Sequence, residues 1–110
     1  MGLFSRKKDR KLQSDLLSRL DGRELHYVVR RFTKEDGSTA EQVLGKGGRI
    51  MAPGNFVAVT AGEKQVFYCE DPETVSCGEL MALNGVIIKG YNTLLETEDT
   101  LVAYYAYYRK

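Results

Sequence analysis

The chain has 110 residues, 43% hydrophobic and 28% charged, with a net charge of +1, a balance that suits one soluble globular domain and is too apolar for disorder. No run reaches membrane-spanning length, and no apolar segment follows the basic start as a secretory signal requires. Cys69 and Cys77 lack the CxxC spacing of a metal or redox pair, so the expectation is a cytoplasmic chain with reduced thiols.

The small net charge conceals an asymmetry. Through Arg23, seven Lys/Arg stand against three Asp, whereas the remainder carries nine basic and twelve acidic residues. A basic arm over residues 1–11 therefore precedes a mildly acidic body, which disfavours nucleic acid as a partner of that body. Leu3 and Phe4 beside Arg6, Lys7 and Lys8 make the arm a candidate contact for an anion or a membrane surface. The opening MGLFSR departs from the myristoylation pattern, which wants Ser or Thr where Arg6 stands. Leu12, Leu16, Leu17 and Leu20 then recur at helical period, predicting an amphipathic helix over 12–21 that stops at Asp21-Gly22.

From Glu24 to Thr33 the period changes to two, with Leu25, Tyr27 and Val29 on one face and His26, Arg30 and Phe32 on the other. A two-residue Asp36-Gly37 loop pairs Glu35 with Ser38 and Val29 with Leu44. Gly45–Gly48 interrupts, Arg49–Ala52 is a short strand, and Pro53-Gly54 turns into the central hairpin, Gly54–Glu70. Gly62-Glu63 has the chemistry of a type II′ turn, with Gly at the first central position. Simple pairing sets Ala61 opposite Lys64, Val59 opposite Val66, Val57 opposite Tyr68 and Phe56 opposite Cys69. Val57, Val59, Val66 and Tyr68 then share one face and Phe56, Ala58, Phe67 and Cys69 the other. Both are apolar, so the hairpin needs cover on two sides, and the leucine stripe is expected on its outer face.

Asp71–Thr74 reads as a turn around Pro72. Asn84-Gly85 predicts a hairpin with Leu83 opposite Val86 and Met81 opposite Ile88; Gly78–Leu83 reads alternatively as one helical turn. Leu94–Thr100 is assigned to a loop and Leu101–Tyr108 to a final Tyr-rich strand.

Side chains with chemical potential are few. His26 is the only histidine, with no nucleophile or orienting partner in a recognisable motif, so no enzyme and no cofactor are expected. Glu70, Asp71, Glu73 and Glu79 lack the spacing of a calcium loop and read as solvated charges. GKGGR, Gly45–Arg49, offers the flexible backbone and the Lys46 and Arg49 cations of an anion cradle without the frame of a P-loop; such glycines also mark a bulge or turn. Tyr104 and Tyr108 fall on one strand face, where a tyrosine either anchors a partner or covers the sheet.

The order of short strand, NFVAVTAGEKQVFYC hairpin, turn, GELMALNGVIIKGY and final strand resembles the meander of small PH-like or GRAM-like domains, and the MGLF start with its basic run resembles small bacterial proteins. The resemblance covers Glu24 to Tyr108 and implies a β-barrel or roll. The chain departs from the PH pattern in placing its helix first and ending in a strand, and Lys34-Glu35-Asp36-Gly37 lacks the basic residues of lipid-binding first hairpins. The chain is accordingly expected to be one mainly β domain over 1–110: a seven- or eight-stranded antiparallel meander forming a barrel or roll over 24–109, with one amphipathic N-terminal helix packed on it. The expected role is a non-enzymatic module that binds a protein or peptide through Tyr104 and Tyr108. Peripheral membrane or nucleic-acid association through the arm is the alternative.

Overall fold

The leucine periodicity is realised as a helix, α1, at residues 15–20 of the computed structural model, which describes residues 15–106. Leu12 of the expected stripe, the basic arm, Tyr107 and Tyr108 lie outside the described residues. The chain leaves α1 through Gly22, whose φ of +84° suits the residue after a last turn. The exit is tied down: Gly22 N donates to Ile50 O at 2.7 Å and Arg23 N to Leu20 O at 2.9 Å, while Asp21 Oδ1 accepts the Ala52 amide at 2.7 Å.

Among the described residues eight strands follow: β1 (Leu25–Thr33), β2 (Thr39–Lys46), β3 (Arg49–Met51), β4 (Val57–Ala61), β5 (Lys64–Cys69), β6 (Ser76–Glu79), β7 (Gly85–Asn92) and β8 (Thr97–Tyr105). They form two antiparallel sheets, one in the order β2-β1-β8-β7-β6 and one in the order β3-β4-β5. Of the expected barrel or roll, the antiparallel, mainly β character stands, but no closed barrel forms: the strands divide into two sheets. Two corners interrupt the meander. Gly47 and Gly48, at φ +76° and +118°, swing the chain from β2 into β3, leaving one isolated bridge, Glu24 to Arg49. After β5, Pro72–Thr74 forms a 3-10 turn capped by Asp71, which carries the chain back to β6.

Register departs from simple alternation at bulges. The first hairpin pairs Thr33 with Thr39 and Val29 with Val43, then shifts so that Val28 meets Gly45 and Tyr27 meets Lys46. Its loop has three residues, with Lys34 N donating to Ser38 O at 2.8 Å and Gly37 at φ +91°, so the pairing of Val29 with Leu44 is displaced by one. In the central hairpin Ala61 meets Lys64 as expected, and Gly62 alone of the two loop residues has positive φ. Beyond Gln65 an extra residue, Val66, sets Phe67 opposite Val59 and Cys69 opposite Val57. The faces follow the bulge: Val57, Val59, Phe67 and Cys69 are buried together, and Phe56 and Tyr68 stack outside with ring centroids 5.5 Å apart.

The later turns also differ. β6 pairs Cys77 with Ile88 and Glu79 with Val86, so Asn84-Gly85 is not the two-residue turn; the loop spans residues 80–84, and Leu83 takes φ +60°. β8 begins at Thr97, four residues before the expected start, because β7 and β8 pair as far as Asn92 and Thr97.

The core lies between the sheets. Val28, Val86, Ile88, Leu101 and Ala103 of the larger sheet meet Ile50, Val57, Val59 and Phe67 of the smaller, and Leu16, Leu17 and Leu20 join the same cluster. The helix thus covers the end of the core beside Leu25 and Ile50. It does not lie on the outer face of the β4–β5 hairpin as expected, since the bulge turns the apolar side of that hairpin inward. Burying one leucine-sized side chain contributes about 1.5–3 kcal/mol.

Gly48 is the corner residue with least latitude, because an added Cβ would lie 2.0 Å from Thr60 O. Gly48→Ala should lower stability in urea unfolding by roughly 3 kcal/mol or more. Gly37→Ala, also at positive φ but with open space around it, should cost only about 1–2 kcal/mol.

Candidate functional site: the outer face of the larger sheet

The bulge at Val66 frees a carbonyl, on which two side chains converge, with Asp99 holding both of them. Arg30 of β1 donates to Asp99 of β8 through Nε at 2.9 Å to Oδ1 and Nη2 at 3.0 Å to Oδ2. Its Nη2 also lies 3.4 Å from Val66 O. Asn92 Nδ2 donates to Val66 O at 2.8 Å and to Asp99 Oδ2 at 2.9 Å. Asn92 Oδ1 accepts the Tyr68 and Leu94 amides at 3.2 and 3.0 Å. A buried carboxylate, a buried amide and a half-buried guanidinium thus tie the two sheets together along one side. Arg30 points inward here, whereas simple alternation sets it apart from the core residues.

With the sheet held this way, its outer face reads as rows across the strands. One row runs Lys46, Tyr27, Tyr104, Gly85; the next Val43, Val29, Val102, Ile87, Gly78; the third Glu41, Arg31, Thr100, Lys89, Ser76. The first is aromatic with one cation, the second aliphatic, the third charged. Tyr27 and Tyr104 stack at 4.6 Å between centroids with their planes 20° apart. Arg31 Nη2 reaches Glu41 Oε2 at 2.9 Å. Val29 and Val102 are buried at the middle of the face yet belong to no part of the core cluster between the sheets. Val43, on β2, is 62% exposed. β2 is paired on one side only, so the aliphatic row ends at a sheet edge.

The structure brings two of the candidate residues together. Tyr104 and Lys46 occupy the same row on either side of Tyr27. Burial chiefly raises the Tyr104 phenol above its ordinary value, with Tyr27 and Glu41 adding and Arg31 opposing. Arg49 stands apart on β3, where Nη2 lies 3.2 Å from Glu24 Oε2. The glycine corner between them is engaged in backbone contacts: Gly47 N donates to His26 O at 2.6 Å, Gly48 O accepts the Leu25 amide at 2.9 Å, and Arg49 N donates to Thr60 Oγ1 at 2.9 Å. Tyr108, Arg6, Lys7 and Lys8 lie outside the described residues. His26 is exposed, its ring edge-on to Tyr27 at 5.3 Å. Among the described residues no cluster of His, Cys, Asp or Glu is arranged to hold a metal ion, and no helix is long and apolar enough to cross a membrane. Tyr27, Val29, Val43 and Ile87 were not singled out as site residues from sequence; the alternation of β1, β2 and β7 contains them, but only strand order reveals the rows.

Two inward groups carry a pH signature. Burial pushes the Cys77 thiol up to about 11. Tyr105, covered by the Arg23 guanidinium at 4.0 Å from its ring centroid, is pushed up to about 12, chiefly by burial and then by Glu79. Both hold their protons more tightly folded than unfolded. Their stabilising contribution is therefore complete below the ordinary values of 9 and 10 and is lost as pH rises through 11 and 12.

Two outcomes follow. Asn92→Ala leaves Val66 O and the Tyr68 amide short of partners and should destabilise by roughly 2–4 kcal/mol in urea unfolding, with Arg30→Met comparable and Arg30→Met/Asp99→Leu costing less than the sum of its parts. The urea midpoint should fall steadily between pH 9 and 11, and Tyr105→Phe should flatten the upper part of that decline; an unchanged profile would contradict the assignment. Compared with protein-family models, curated proteins and solved structures, the chain matches none of them.

Proposed function

We propose that the chain is a non-enzymatic binding module that takes an extended segment of another protein along β2, adding it as a strand and seating its side chains on the aromatic and aliphatic rows. The observation that carries this reading is the conjunction of an eight-residue strand paired on one side with an exposed Val43 that continues the Val29, Val102, Ile87 row to the sheet edge. Backbone hydrogen bonds along β2 supply affinity in such an arrangement, and pockets for alternate side chains supply selectivity. The Tyr27–Tyr104 stack adds a rigid amphipathic surface beside Lys46, which suits a partner segment with an apolar residue flanked by a carboxylate.

Val43→Asp, which places a charge on the exposed end of the aliphatic row, and Tyr104→Ser should each reduce capture of the partner by at least about tenfold, with the thermal midpoint of Val43→Asp within a few degrees of the parent. Glu98→Ala, at the far end of the same sheet face, serves as control and should bind as the parent does. Equal capture by all three variants would overturn the reading.

A further inference from the structure

A strand offers a new neighbour the backbone groups of every second residue, and the first hairpin decides which ones β2 has free. Lys34 N donates to Ser38 O at 2.8 Å, so these two residues form a bonded pair. Bonded and unbonded pairs alternate along an antiparallel ladder. The register runs without a shift from Thr33 opposite Thr39 to Val29 opposite Val43. Ala40 and Gln42 therefore turn their backbone groups toward β1, whereas Thr39, Glu41 and Val43 turn theirs away from the sheet. Beyond Val43 the bulge changes the count. Arg31, Val29 and Tyr27 of β1 stand two residues apart, and their partners are Glu41, Val43 and Lys46. An acid, an aliphatic residue and a base are thus evenly spaced along the free edge, all three exposed.

That order is complementary to itself. A two-fold axis at Val43 sets two copies of β2 antiparallel, with the two Val43 side chains opposite each other and each Glu41 opposite Lys46 of the other copy. Without the bulge Gly45 would stand where Lys46 does, and the charge match would vanish. Lys46 makes no ion pair among the described residues, and Arg31 Nη2, at 2.9 Å from Glu41 Oε2, fixes the acid on the outer face. The β4–β5 turn bounds the contact, since a Cβ at Gly62 would lie 3.3 Å from Lys46 O. Thr39–Val43 accordingly supplies the backbone pairing, and Lys46 acts through its side chain.

We propose that the strand added along β2 is β2 of a second copy of this chain, so that two five-stranded sheets run on as one across a two-fold axis. This inference rests on the reading of β2 as a strand-adding edge and names its occupant. The chain's own Glu41 and Val43 are the carboxylate and the apolar residue that the edge beside Lys46 suits. Pairing along one strand edge is a small contact, so the dimer is weak and forms at high concentration.

Sedimentation of the full-length protein from about 10 µM to about 1 mM should show the mass rising from monomer toward dimer, less so as salt increases. Glu41→Lys and Lys46→Glu each set like charges opposite one another twice and should weaken self-association at least about tenfold. An equimolar mixture of the two variants, and the double variant Glu41→Lys/Lys46→Glu, restore opposite charges and should associate as the parent does. Val43→Asp, which brings two carboxylates to the axis, should be monomeric. A parent that stays monomeric throughout, single variants that associate as the parent does, or a mixture no better than its components would each overturn the inference. A monomeric parent whose capture of another protein still falls with Val43→Asp loses only the second copy as occupant. Dimerisation of Val43→Asp equal to the parent would overturn the second copy at β2 and leave the strand-adding edge to the capture assay.

Discussion

The carbonyl of Val66 is the point on which the two-sheet arrangement turns. A bulge leaves it without a ladder partner, and a buried carbonyl in that state is costly. Arg30 and Asn92 supply the donors, and Asp99 holds both of them in place. The arrangement is self-consistent: Asp99 needs a cation, Arg30 needs a carboxylate, and Asn92 uses its oxygen on the Tyr68 and Leu94 amides and its nitrogen on the other two. Removal of any member leaves a buried polar group exposed to the low dielectric between the sheets.

On the opposite side of the core the sheets are joined by covalent continuity instead. The Gly47-Gly48 corner, the Glu24–Arg49 bridge and the exit from α1 bring β1 and β3 together. The two sides thus use different physics, one a side-chain network and the other a sharp backbone turn with a helix laid across its end. Between them Phe67 packs toward Gly90, where an added Cβ would lie 3.6 Å from the ring.

Much of the strand content was legible because alternation and turn chemistry act locally. Leu25–Thr33 and the Gly62-Glu63 turn stand where their residues put them. The bulges were not legible, since nothing distinguishes Val66, or His26, which is the extra residue of β1 between the Leu25–Tyr105 and Tyr27–Tyr104 pairs, from an ordinary strand residue. The pairing of the first strand with the last was equally hidden, and Arg30 and Asp99 are 69 positions apart. Tyr104 and Lys46 could be nominated singly as candidate site residues. Their common row could not, because it exists only through Tyr27 and the β1–β8 pairing.

Each bulge acts as a phase shifter. On either side of Val66 in β5, or of Leu44 in β2, the strand keeps its alternation but with its phase shifted by one residue against its partner. Substitution at such a position changes one side chain, whereas loss or gain of a residue elsewhere in the strand reverses the facing of every residue up to the next turn. Loss of Val66 itself would close the ladder with Phe67 still opposite Val59, but would withdraw the carbonyl that Arg30 and Asn92 hold. Variation in length is therefore confined to the loops outside these strands, while the interior of β1 and β5 tolerates exchange of residue type and no change in count.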